Sequence, residues 1–150
     1  MTSADDLAGL QRWGFAFAGP IRDELTALAL AGTKTTTAGL YDESIAEGEA
    51  MPAPGDREVL LDSAERPVAI IETIETRVVR LADVDDRHAI DEGEGYANAA
   101  EFRVSHEDFW NGYIDDLRRL IRPDFAIDDD TLVFLQRFRV VERLDPDFGG

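Results

Sequence analysis

Cysteine is absent from the 150 residues, histidine occurs twice and lysine once. Without cysteine there are no disulfides and no thiolate metal sites, so the chain must fold on its apolar core. Long hydrophobic runs are missing too. No segment approaches the roughly 20 apolar residues of a membrane helix. Met1–Asp6 has no basic stretch leading into an apolar one, so a secretory signal is not expected. These absences point to a soluble cytoplasmic protein. Positive charge is scarce: 15 Lys and Arg face 32 Asp and Glu, a net charge of −17. That field repels polyanions at long range. Strong nonspecific binding to DNA, which rests on cations neutralising phosphates, is therefore not expected. A nucleic-acid role would need a local positive pocket or a small ligand. Neither G-x-x-x-x-G-K nor G-x-S-x-G occurs. No His–carboxylate spacing marks a metal site, so no metal or cofactor is expected.

What is present fits one domain over residues 1–150, with 44% hydrophobic residues to fill a core. Ser3 caps an expected helix through about Trp13. Pro20 opens a second helix with Ile21, Leu25 and Leu28 on one face, closed at Gly32. Thr35–Tyr41 reads as extended, and residues 42–56, with Gly48, Pro52, Pro54 and Gly55, as a loop. Arg57–Asp62 and Val68–Arg80 form an expected hairpin around Ala64–Pro67. A short helix over Leu81–Ile90 precedes Gly93 and Gly95. A long helix follows over about 99–121, with Phe102, His106, Phe109, Trp110, Tyr113, Ile114 and Leu117 on one side, ending before Pro123. Leu132–Val141 is a last strand. Strands and helices without regular alternation argue for an α+β fold, read here as a small mixed β-barrel with flanking helices.

Two segments concentrate polar chemistry. Fourteen of the fifteen basic residues are arginine; the exception, Lys34, lies in Gly32-Thr33-Lys34-Thr35-Thr36-Thr37. An ammonium can give up its proton where a guanidinium cannot, and beside hydroxyls it can hold a phosphate or activate a nucleophile. The second segment is Asp91-Glu92-Gly93-Glu94-Gly95, where glycines let carboxylates approach a ligand closely and one carboxylate could serve as general acid or base. Arg103 and His106, one turn apart, are expected to face one cleft with Glu92 and Lys34. His88, in a polar stretch, is expected to face water. Glu72, with Val68, Ile70 and Ile74 on its side of a strand, needs a partner or a bulge.

In order along the chain, Gly32-x-Lys34-x-x-Thr37, the hairpin, Asp83-Val84, Glu92-Gly93-Glu94-Gly95 and Phe102-Arg103-x-x-His106-x-x-Phe109-Trp110 resemble the larger members of the ASCH family, from about Phe15 to Val141. Those members usually carry Asp where Tyr96 stands and Trp where Phe102 stands. The resemblance implies a PUA-like barrel and a ligand that is RNA or a modified nucleoside. Its relatives include enzymes that cut single-stranded RNA and short members that hydrolyse N4-acylated cytidine; a non-catalytic RNA-binding module is the third reading. The resemblance assigns catalysis to Lys34, Thr37 and Glu92. Glu94 competes for the carboxylate role, and Glu94, Arg103 and His106 are assigned to ligand binding.

Overall fold

A computed structural model describes residues 7–144. Among the described residues from Arg12 on, five strands and five helices follow one another as β1 (Arg12–Trp13), α1 (Pro20–Leu30), β2 (Thr36–Leu40), α2 (Tyr41–Ala46), β3 (Arg57–Leu61), β4 (Pro67–Arg80), a 3-10 turn at Leu81–Asp83, α3 (Asp86–Asp91), α4 (Ala99–Asn111), α5 (Ile114–Leu120) and β5 (Leu132–Arg143). The strands make one mixed sheet in the order β1-β3-β4-β5-β2. β1 runs parallel to β3, and β3 antiparallel to β4 with Val59 opposite Ile70. The α+β class is as expected, but the expected barrel is an open sheet among the described residues. Closure requires the edge strands to pair, and β1, one of those edges, is two residues long.

The chain divides into two compact units. The first takes the chain up to Thr35, Pro52–Glu75, and the chain from Arg137. Its core has two layers. Phe15, Ala29, Leu60, Ala69, Ile71 and Phe138 form one, and Leu7, Val59, Ile70 and Leu144 the other. The continuous apolar run Val68–Ile71 is buried on both faces, as a central strand requires. Glu72 finds its partners across the sheet: it faces Arg57 on β3, and Arg57 and Arg139 both bond its carboxylate. α1 buries Thr26 and Ala29 and leaves Ile21 61% exposed, so its inner face is rotated from the one that Ile21, Leu25 and Leu28 suggested. Residues 3–6 of the expected first helix lie outside the described residues. Beyond Leu7 the chain is turn and then β1, so no helix reaches Trp13.

The second unit takes Thr36–Met51 and Thr76–Gln136. Leu40, Leu81, Phe102, Trp110, Leu117, Phe125, Val133 and Leu135 are its core. Fully burying side chains of this size stabilises by roughly 1.5–3 kcal/mol each. The expected helix over 99–121 is two helices. Gly112, a poor helix residue, ends α4, and Tyr113 in a non-helical conformation starts α5. The kink lets the Tyr113 hydroxyl donate to Glu43 of α2 at 3.3 Å. α2 takes the last residue read as extended and the start of the stretch read as loop, because Tyr41–Ala46 contains no breaker and the glycines and prolines come only after it.

The end of α1 sets up Lys34. Gly32 adopts φ +80, which L-residues disfavour. Gly32 N–H then donates to Ala29 O and Thr33 N–H to Leu28 O, at 3.1 and 3.0 Å, a Schellman cap. Lys34 N–H also reaches Leu28 O. A Cβ on Gly32 would meet nothing within 4 Å, so the cost of Gly32→Ala is purely conformational. The expected loss is about 1 kcal/mol, read as a lowered denaturant midpoint with an unchanged slope, and Gly32→Asn should lose less. An unchanged midpoint for the alanine variant would mean that this cap does not hold the turn.

Candidate functional site

A buried polar cluster lies in the second unit, on α3 and α4. Asp85 caps α3 by accepting His88 N–H at 2.8 Å. Such a cap is worth about 1 kcal/mol, and it starts the helix at the right point for His88 and Glu92 to lie one turn apart on the same side. Gly93, at φ +70, ends the helix directly after Glu92. Thr36 on β2 donates its hydroxyl to His88 O at 3.0 Å. α4 is capped by Asn98, which accepts Glu101 N–H, and it is tied to α3 by Ala99 N–H donating to Asp86. This capping brings His106 over the end of α3.

Glu92 is 1% exposed. One of its oxygens lies 3.0 Å from His88 Nε2 and the other 3.3 Å from His106 Nε2. The contact with His88 Nε2 must hold a proton, on the imidazole or on the carboxyl group, because two lone pairs would otherwise face each other. His106 is fixed from its other side. Its Nδ1 lies 2.9 Å from Phe102 O, and a carbonyl can only accept, so Nδ1 is protonated. The contact between His106 Nε2 and Glu92 must then also hold a proton, because two lone pairs would otherwise face each other. That proton sits on the imidazole or on the carboxyl group. The cluster is thus an oriented carboxyl group sharing protons with two imidazoles, in surroundings where such groups are costly unless partnered.

Aromatic rings wall this cluster. Phe102 stacks on the His106 ring at 3.8 Å and meets His88 edge-on at 5.6 Å, and Trp110 meets His106 at 5.3 Å. Tyr96 donates to Ser105 at 2.8 Å. Burial, and then the charges of Glu94 and Glu92, push its pKa up to about 12, so it remains a neutral phenol.

Of the residues singled out from sequence, Glu92 and His106 meet. Glu94 is half-buried, and its nearby charge acts on Tyr96. Arg103 directs its guanidinium to Glu107 and Asp129. Thr37 is half-buried on β2. Lys34 belongs to the first unit, where it is 2% exposed and its ammonium lies 5.4 Å over the Phe15 ring. Phe15 is wedged against Trp13 and Phe138. His88, expected to face water, is instead buried. The His88-x-x-x-Glu92 spacing was the signal that could have revealed it. Among the described residues no group of three His, Asp or Glu is arranged to hold a metal ion, and no helix is long and apolar enough to cross a membrane.

The model of the ASCH domain family matches residues 11–142. Among solved structures, protein EF3133 from Enterococcus faecalis V583 superposes with a TM-score of 0.75 at 24% identity, over 89% of this chain and 77% of that one. An ASCH domain from Lactobacillus crispatus JV V101 superposes with a TM-score of 0.75 at 23% identity, over 91% and 82%. No curated protein matches the sequence. At these identities the two structures speak for the fold alone.

Proposed function

Because the chain belongs to the ASCH domain family, we propose that it acts on RNA or on a nucleoside derived from it, with Glu92 as the working carboxylate. The observation that carries this reading is the mounting of Glu92, buried yet held through both oxygens by His88 and His106. A purely structural carboxylate has little need of two imidazoles and a movable proton. A general acid or base does, because it must be fixed in direction and able to exchange a proton. Glu92 is favoured over Glu94 for that reason. Lys34 and Thr37 are assigned with it by the G-x-K-x-x-T resemblance, Lys34 as a proton-exchanging or anion-holding group and Thr37 as a hydroxyl donor or nucleophile. Arg103 and His106 are assigned to ligand binding.

Two substrates fit, and charge separates them. Single-stranded RNA suits the family's larger members. An N4-acylated cytidine is small and neutral, and it suits the strongly acidic second unit better. The test is incubation of the full chain with each, read by mass spectrometry, alongside Lys34→Arg. Cleavage of either substrate, abolished in Lys34→Arg, supports a proton-transferring lysine. Full activity in Lys34→Arg removes that role and leaves anion binding. Binding of RNA without any product supports the non-catalytic module. Absence of both binding and turnover with both substrates defeats the proposal.

A further inference from the structure

The acidic residues are unevenly shared. The first unit holds eight Lys and Arg against thirteen Asp and Glu, a net of −5, and the second seven against nineteen, a net of −12. Inside the first unit three of the cationic residues line one pocket. Arg139 and Arg143 lie on the same side of β5 by its two-residue alternation. Both line a pocket of about 390 Å³ whose other wall is the end of α1 and the turn bearing Lys34. Three cationic residues line it against one acidic one, Glu142, over a floor that includes Leu30 and Phe138. The volume is within the range of small-molecule sites.

Both guanidiniums are held in place. Glu72 accepts from Arg139 Nε and Nη2 at 3.2 and 2.9 Å, and from Arg57 Nε at 3.2 Å. The Arg139 and Arg57 hydrogen bonds hold the Glu72 carboxyl below its usual range, so it stays ionised as an anchor. Arg143 Nη2 donates to Leu30 O at 2.9 Å. That bond removes an objection to an anion here. A helix C-terminus repels negative charge, but the carbonyls of Leu28, Ala29 and Leu30 are already occupied by Thr33, Lys34, Gly32 and Arg143. A guanidinium has five N–H donors, so each arginine retains several beyond these bonds, in the forked arrangement that matches phosphate oxygens.

We infer that this pocket binds a phosphate group, held by Arg139 and Arg143, with the buried Lys34 ammonium adding its charge at longer range. The ligand class is a nucleotide phosphate, either a free mononucleotide or the terminal phosphate of a short RNA. The choice of a nucleotide rests on the proposed function, whereas the phosphate chemistry stands on the pocket alone.

The experiment follows the Nε–H signals of Arg139 and Arg143 in the ¹⁵N-labelled full chain during titration with inorganic phosphate, cytidine, cytidine monophosphate and a 5′-phosphorylated short RNA. Saturable shifts with phosphate and the monophosphate, and none with cytidine, are expected. The RNA shifting these signals at lower concentration than the monophosphate would identify an RNA end as the ligand; the reverse order would identify the free nucleotide. Arg143→Gln and Arg139→Gln should each weaken monophosphate binding about tenfold, equivalent to about 1.4 kcal/mol, with Arg139→Lys in between. If Arg139→Gln fails to fold, Arg143→Gln carries the test, since its arginine is exposed. Absence of any saturable shift with phosphate would overturn the inference, as would equal binding of cytidine and its monophosphate with changes at His106 alone. That second result would leave the proposed function standing. Phosphate binding without nucleoside binding or turnover would do the opposite.

Discussion

Phe102→Ala is expected to destabilise the protein by about 3–5 kcal/mol, the range for deleting a buried aromatic ring. Phe102 is 0% exposed. Its ring is the surface on which His106 stacks and against which His88 and Tyr96 rest. Truncation removes apolar burial, and it also takes away the wall that fixes both imidazoles on Glu92. At about 2–4 °C per kcal/mol for a chain of this size, thermal unfolding should shift down by on the order of 10 °C. The same variant should show broadened His88 and His106 ring signals in NMR. A loss below about 1 kcal/mol would mean that the neighbours collapse into the space and that the stack is not a structural wall.

Glu92→Gln should lower turnover by about 10²–10⁴-fold, the usual contribution of a general acid or base, while leaving the fold nearly intact. The asymmetry follows from the proton count. The amide oxygen of glutamine can accept from His88 Nε2, and its NH₂ can donate to His106 Nε2, so both contacts survive without charge. What disappears is the exchangeable proton. Glu92→Ala makes the instructive contrast: it leaves two imidazoles without their shared partner, and an unsatisfied buried polar group costs about 1–3 kcal/mol. Turnover and melting temperature measured on both variants separate the roles. If Glu92→Gln turns over like the wild type, Glu92 is a binding or structural group and the enzyme reading loses its main support.

Much of this was readable from the residues, and the failures have physical causes. The hairpin, β5 and the helix with the Phe102–His106 face followed from period and turn residues, which are local properties. The break at Gly112 was missed because the apolar periodicity continues through it: Tyr113, Ile114 and Leu117 keep the spacing while the backbone restarts. α2 was missed because breakers clustered downstream of it colour a whole window. His88 was misplaced because its sequence neighbours are polar. Its burial depends on Glu92 one turn later and on Phe102 from another helix, and no local window contains both. β5 was expected as a strand, but not that it serves both units. Val133 and Leu135 are buried in the second unit by one face, and Phe138 in the first by the other.

Lys34 is the only side-chain amine in the protein, and it is shut away from solvent. The folded chain therefore presents amine-reactive reagents with no accessible lysine. Modification at this position by a reagent from solvent requires the chain around it to open, so for a given reagent its rate scales with the population of open states when opening and closing are fast. A mass increment on Lys34 reads out the local stability of the α1 cap and the Phe15 layer, without any introduced label.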